Sequence, residues 1–124
     1  MRTIQGIDIL SSATLDADRV SRPFEVSHCI YGAIHLVWSG TPTGVFRVQA
    51  SNDAVPAGTD PNALAYADLT WIDIDTEAVS GAAGSKIFRI TDMGFRWIAL
   101  QYDSTSGTGS ATTATFFAKG FGSR

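Results

Sequence analysis

The chain has 124 residues, enough for one folded domain with its own core, and its 44% hydrophobic content excludes a wholly disordered protein. Its formal net charge is −3 and its nine Lys and Arg residues are scattered singly, which argues against direct binding to nucleic acid. Only 17% of the residues are charged, below the roughly 25% of typical soluble domains. Much of the surface must therefore be hydroxyl and amide, which suits packing into an assembly.

Strand-forming runs alternate with turn signals along the whole chain. Residues 13–23 are predicted to form an irregular connection or a short edge strand, and 54–68 a long loop rich in Ala and Pro. The predicted strands are Thr3–Leu10, His28–Trp38, Gly44–Ser51, Trp71–Ile74, Lys86–Thr91, Phe95–Tyr102 and Ala111–Lys119.

The alternation of apolar residues predicts how each strand is covered. His28–Trp38 is apolar at both parities, so it is predicted to be a central strand covered on both faces. Phe95–Tyr102 is also apolar on both faces. Gly44–Ser51 alternates apolar and polar residues, as a half-buried strand does. The segment Ser39–Gly44 (SGTPTG) is predicted to be the rather long turn of a β-hairpin, and Ser104–Ser110 (STSGTGS) is predicted to be a flexible turn.

About eight strands without a credible long helix predict an all-β fold, an antiparallel β-sandwich of jelly-roll type. We expect a single domain over 1–124, with 1–23 as an N-terminal arm and 54–68 as a long loop. The first 19 residues lack the uninterrupted apolar segment of a secretory signal peptide, and no apolar run approaches a membrane span. We therefore expect a protein made in a cytoplasm, without a membrane partner.

The single cysteine, Cys29, excludes an internal disulfide and a multi-cysteine zinc site, and its apolar neighbours predict burial. Asp73 and Asp75 are two residues apart, so on a regular strand they would share a face. Paired carboxylates can bind Ca²⁺ or act as acid and base. The favoured interpretation makes them the solvent face of a strand whose core face is Ile72 and Ile74.

Other chemistry-bearing residues lack a recognisable pattern. His28 and His35 are an odd number of residues apart, which places them on opposite faces of a strand and disfavours a shared metal site. No Gly-x-Ser-x-Gly motif accompanies the serines, and the glycine-rich STSGTGS lacks the lysine of a phosphate-binding loop. The sequence thus predicts no enzyme, no cofactor and no metal site. Trp38 and Trp97 are predicted to lie in the core, and Tyr66 near the surface.

Four stretches of the chain resemble small virion proteins of tailed bacteriophages. They are ILSSAT at 9–14, VWSGTPTGVFRVQASND at 37–53, WIDI at 71–74 and FRWIALQYDSTSGTGSATTATFFAKG at 95–120. The resemblance implies a capsid decoration (cement) protein that binds the outer surface of an icosahedral head near symmetry axes. Its implied partners are the major capsid protein and further copies of itself, its implied location is the head surface of the virion, and it carries over no catalytic residue.

Contacts with such a shell are expected from the N-terminal arm and the long loop. The candidate contact residues are Arg19, Arg22, Phe24, Pro56, Pro61, Leu64 and Tyr66. The alternative function is a carbohydrate-binding or adhesion sandwich of a phage tail or tail fibre, with exposed aromatic rings that stack on sugars.

Overall fold

The computed structural model describes residues 3–8, 13–55, 58, 60, 64–91 and 93–120, with 3–8 described at the level of the backbone. In these ranges the strands are β1 (Thr3–Asp8), β2 (Arg19–Val20), β3 (Phe24–Glu25), β4 (Cys29–Gly40), β5 (Thr43–Ser51), β6 (Ile72–Ser80), β7 (Gly84–Ile90), β8 (Trp97–Ser106) and β9 (Gly109–Gly120). A short 3₁₀-helix covers Tyr66–Asp68. None of the described residues belongs to a helix long and apolar enough to cross a membrane.

The strands form two antiparallel sheets. Sheet A has the order β1-β9-β4-β7, and sheet B has the order β2-β8-β5-β6, with β3 also pairing with β8. The pairs are nested from the ends of the chain toward its middle: β1 pairs with β9, β2 and β3 with β8, β4 with β7, and β5 with β6. A nested antiparallel ladder rolled into two sheets is a jelly roll, which confirms the predicted fold class.

The core lies between the inner faces of the two sheets. Sheet A contributes Ile34, Leu36, Phe88 and Phe116, and sheet B contributes Phe46, Val48, Leu100 and Tyr102, all almost fully excluded from solvent. These side chains follow the period of two that places every second residue on one face. Cys29, Trp38 and Trp97 are buried, as the sequence predicts. The indole Nε1 of Trp38 donates a hydrogen bond to the carbonyl of Ala82, 2.9 Å away.

The long loop packs back onto the outer face of sheet B. Leu64, Leu69 and Trp97 form a second buried cluster, against which Val55 and Trp71 pack. Trp97 also donates its indole N–H to the backbone oxygen of Asp53 at 3.1 Å. The start of strand β8, around Trp97, is therefore covered on both faces.

The two predicted turns lie against each other at one end of the sandwich. Each connects one sheet to the other, so β4 and β5 do not pair and the predicted β-hairpin is wrong. The backbone N–H of Thr41 donates to the carbonyl of Thr108 at 2.7 Å, and Gly40 is the strand partner of Gly109. Residues 13–15 of the predicted N-terminal arm close over the same place, since the N–H of Leu15 donates to Gly109 at 2.9 Å and the Leu15 side chain is fully buried. This part of the arm belongs to the fold.

Candidate functional site

The two carboxylates that the sequence places on one face lie on opposite faces of β6. Gln49 pairs with Asp73 and Val48 pairs with Asp75, so Ile74 is the extra residue of a β-bulge. A bulge reverses the alternation of side chains beyond it. Asp73 therefore shares the outer face of sheet B with Gln49, whereas Asp75 takes the parity of the core residue Val48. The prediction of a paired carboxylate face is wrong.

Ile72 and Ile74, predicted to be the core face of this strand, are also exposed, at 70% and 42%. Strand β6 is an edge strand of sheet B, Ile74 lies in the bulge, and Ile72 lies at the end of the β5 pairing, opposite Ala50. Edge position and the bulge together move both side chains away from the core.

A row of polar side chains crosses the outer face of sheet B, and we call it the polar row. Its members are Tyr66, Gln49, Asp73, Arg47, Asp103 and Gln101. Arg47 lies at its centre, with Nη1 at 2.7 Å from Asp73 Oδ2 and Nε at 3.0 Å from Asp103 Oδ2. The Gln49 amide donates from Nε2 to Asp73 Oδ1 at 2.7 Å, and its Oε1 accepts a hydrogen bond from the Tyr66 hydroxyl. Gln101 Nε2 donates to Asp103 Oδ1.

These contacts perturb the ionisation of the polar row. The hydrogen bond from Gln49, and then the bond and charge of Arg47, hold the pKa of Asp73 below its ordinary value despite partial burial. The two carboxylates raise the pKa of Arg47, and burial raises the pKa of the Tyr66 hydroxyl. Each group is thereby held in its ordinary charge state at neutral pH.

The polar row satisfies most of its own hydrogen-bonding groups, although the buried Oε1 of Gln101 has no hydrogen-bond partner among the described residues. Both oxygens of Asp73 and both oxygens of Asp103 already accept bonds from within the row. A carboxylate so engaged offers little to a Ca²⁺ ion, which takes six to eight oxygen ligands. Among the described residues, no three His, Cys, Asp or Glu side chains are grouped to hold a metal ion. The arrangement ties β8, β5 and β6 together.

Tyr66 and Trp71 form a stacked aromatic pair beside the polar row. Their ring centroids are 5.1 Å apart and the rings are nearly parallel, at 4°. The indole Nε1 of Trp71 donates to the backbone oxygen of Tyr66 at 2.8 Å, which fixes the stack. Tyr66 is half-buried, at the edge of the surface where the sequence places it.

The predicted contact residues lie in different places. Arg19 bonds to Thr14 and forms an ion pair with Asp16 at 3.3 Å, while Arg22 is exposed with its guanidinium 5.1 Å from the Phe24 ring. Phe24 is buried in the main core and Leu64 in the second cluster, so neither offers much area to a partner. Pro56 and Pro61 lie outside the described residues.

The outer face of sheet A is the apolar surface that the sequence interpretation missed. Ile87, Tyr31 and Phe117 are exposed there at 50%, 43% and 39%. Ala33 and Val37 of β4 belong to the same face and are half-buried. The prediction that β4 is covered on both sides is wrong for this face, because no described residue covers it. The sequence does contain a sign of this surface, because the outward-facing residues Tyr31, Ala33 and Val37 of β4 are apolar.

A groove of about 400 Å³ lies in this face, and we call it the sheet A groove. Its lining residues are Tyr31, Gly32, Ala33, Arg89, Ile90, Thr91 and Phe117. Ala33 pairs with Arg89 on one side and with Phe117 on the other. Within the described part of the chain, Arg89 takes part in none of the ion pairs.

Comparison with known proteins gives no family for this chain: no protein-family model matches it, and no curated protein matches it significantly. The proposal for function therefore depends on the geometry of the outer faces of sheets A and B.

Proposed function

We propose that the protein is a structural protein of a tailed-phage virion, a capsid decoration (cement) protein that binds and stabilises the icosahedral head. The observation that carries the proposal is the outer face of sheet A, where Ile87, Tyr31 and Phe117 are exposed and no described residue covers them. An outer face that remains in water is ordinarily polar, and clustered exposed apolar side chains mark sites of protein contact. The major capsid protein is the proposed partner on this face.

The fold and the sequence support the proposal in different ways. Jelly rolls are common in viral capsid proteins and also in lectins, so the fold is compatible with a capsid role and equally with sugar binding. The resemblance of residues 37–53 and 95–120 to small phage virion proteins is our reason to prefer the capsid use. Synthesis in the host cytoplasm and assembly onto the head surface, together with neighbouring copies of itself, complete the proposed role.

Such a protein needs no catalysis to act. A protein that binds only the assembled shell stabilises that shell by mass action. A copy that contacts two shell subunits at once gains a second contact at a high effective concentration, so modest single contacts suffice. The low charge of the chain favours such contacts, because few charged groups need to lose their water.

Binding to purified heads tests the proposal. Heads that lack the protein are mixed with wild-type protein or with Ile87→Ser, and bound protein is measured after the heads are sedimented. Ile87→Ser should bind at least about tenfold more weakly, because it removes apolar area from the contact. Ile72→Ser is the matched control, since it removes a more exposed isoleucine from sheet B. Equal binding by the two variants, or no binding by wild type, would contradict the proposal.

A carbohydrate-binding or adhesion role on a phage tail or tail fibre is the second candidate. The Tyr66–Trp71 stack beside the polar row favours it, because aromatic rings and amides are the groups that hold sugars. The hydrogen bonds that already occupy both carboxylates of the polar row weigh against it. Titration with host-cell lipopolysaccharide should change tryptophan fluorescence in wild type and not in Trp71→Leu if this candidate is correct, and should leave both unchanged if the first is.

A further inference from the structure

We infer that the sheet A groove is an anchor site for a protein segment in which an apolar side chain neighbours a carboxylate. This inference rests on the proposed role of the outer face of sheet A as a protein-binding surface, and it names the chemistry of the segment bound. The partner is thus a protein with an acidic, apolar segment on its surface, and not a second copy of this chain.

The groove exists because a small residue lies between large ones. Ala33 is at the centre of the face, flanked across the strands by Arg89 on β7 and Phe117 on β9. Tyr31, two residues earlier on β4, extends the aromatic wall. The methyl group of Ala33 leaves the space that a longer side chain would fill. A hollow walled by aromatic rings accepts an apolar side chain, and such buried anchors dominate the binding energy of protein interfaces.

The charge of Arg89 determines which kind of residue should stand beside that apolar side chain in the bound segment. Arg89 lines the groove and has no ion pair with any described residue. The other ionic side chain described on this face, Lys119, is also positive and pairs with Tyr31 across the strands. A guanidinium beside an apolar hollow favours a carboxylate, which it can bind through two parallel hydrogen bonds.

The same charges argue against a second copy of the chain on this face. A two-fold contact places the same surface on both partners. Two copies joined through the part of this face around the sheet A groove would each present Arg89 and Lys119 to the other. Like charges brought together at an interface cost free energy and slow association.

Nuclear magnetic resonance titration of the ¹⁵N-labelled protein tests the inference without a phage head. The probes are N-acetyl-Asp-Phe-amide, N-acetyl-Lys-Phe-amide and N-acetyl-Asp-Gly-amide. The Asp-Phe probe should give saturable shifts at the amides of residues 31–33, 89–91 and 117, with at least about tenfold weaker binding of the other two. Equal binding of the Lys-Phe probe, or shifts absent from these residues, would overturn the inference.

Two variants and a control sharpen the test. Arg89→Glu should reverse the preference, so that the Lys-Phe probe binds more tightly than the Asp-Phe probe. Ala33→Phe should fill the hollow and abolish the shifts, whereas Val37→Phe, on the same face opposite Ser85 and Thr113, should retain them. Retained binding in Ala33→Phe, or an unchanged preference in Arg89→Glu, would overturn the inference. So would a dimer in analytical ultracentrifugation that Ala33→Phe abolishes.

The peptide titration and the head-binding experiment can fail independently, so they distinguish the anchor inference from the proposed function. If the probes bind the groove while Ile87→Ser binds heads normally, the proposed function fails and the groove retains its chemistry. If Ile87→Ser loses head binding while the probes do not bind the groove, the proposed function stands and the anchor inference fails.

Discussion

Arg47 Nη1 lies 2.7 Å from Asp73 Oδ2, and this ion pair joins strand β5 to the edge strand β6. The same guanidinium reaches Asp103 on β8 at 3.0 Å. All three side chains are about one-third exposed or slightly more, at 31%, 38% and 44%. One arginine therefore holds three strands together from the outer face of sheet B, in a place where water still weakens each pair.

Arg47→Met should destabilise the protein by about 1 kcal/mol, the upper range for exposed ion pairs, because two pairs are lost at once. Urea unfolding followed by tryptophan fluorescence measures the change. Arg89→Met is the control, since Arg89 has no ion pair with a described residue, and it should change the free energy of unfolding by less than about 0.5 kcal/mol. Equal losses in the two variants would show that the pairs contribute nothing.

The stability of the protein should depend on pH through Asp73. Its folded-state pKa is lowered from 3.8, first by the hydrogen bond from Gln49 and then by Arg47. A lowered carboxylate pKa contributes stability that is present above the unfolded pKa and is lost as pH falls through the folded pKa. The difference in unfolding free energy between wild type and Asp73→Asn should therefore be largest above about pH 5 and shrink below about pH 4. Urea unfolding across this range measures it, and a difference independent of pH would contradict the expectation.

Gly107→Ala should destabilise the fold far more than Gly58→Ala. Both glycines have positive φ, +83° and +80°, so each substitution has a conformational cost of about 1–2 kcal/mol. At Gly107 the added Cβ would also clash with the backbone oxygen of Thr41, whereas at Gly58 no described residue lies within 4 Å of it. The clash falls where the two turns meet. Thermal unfolding of both variants isolates its cost, and equal melting temperatures would mean that the turns do not pack as described.

Adjacent phenylalanines test which face of β9 is buried. Phe116 is fully buried against Phe24, with ring centroids 5.9 Å apart, while Phe117 is 39% exposed on the outer face. Phe116→Ala should cost about 3–5 kcal/mol. Phe117→Ala should cost no more than about 1 kcal/mol and should reduce the binding of a fluorescent apolar dye to the native protein. The reverse order of stability would place the core on the other side of the strand.

Much of the fold follows from alternation in the sequence. The apolar parity of Phe46 and Val48 identifies the inner face of β5. The turn signals at 39–44 and 104–110 locate the ends of strands, although the strands extend further and leave only 41–42 and 107–108 between them. The nested antiparallel pairing of the strands brings these two turns together. The number of strands and the spacing of the turns were sufficient to predict the jelly roll.

The site could be predicted only in part, for two physical reasons. The bulge at Ile74 has no local signal, yet it reverses the faces of Asp73 and Asp75. The polar row joins residues far apart in sequence, such as Gln49 and Tyr66, and depends on register that the sequence does not state. A strand that is apolar at both parities can also be covered on one face or on both. Leu64 packs on the outward-facing Trp97 of β8, whereas no described residue covers the outward-facing Tyr31 of β4.

Cryo-electron microscopy of the virion at residue resolution is the direct test of our proposal that the outer face of sheet A binds the phage head. We expect density for the jelly roll on the head, with Ile87 and Phe117 buried against the shell. Density on the tail, or on the head with this face turned toward solvent, would contradict it.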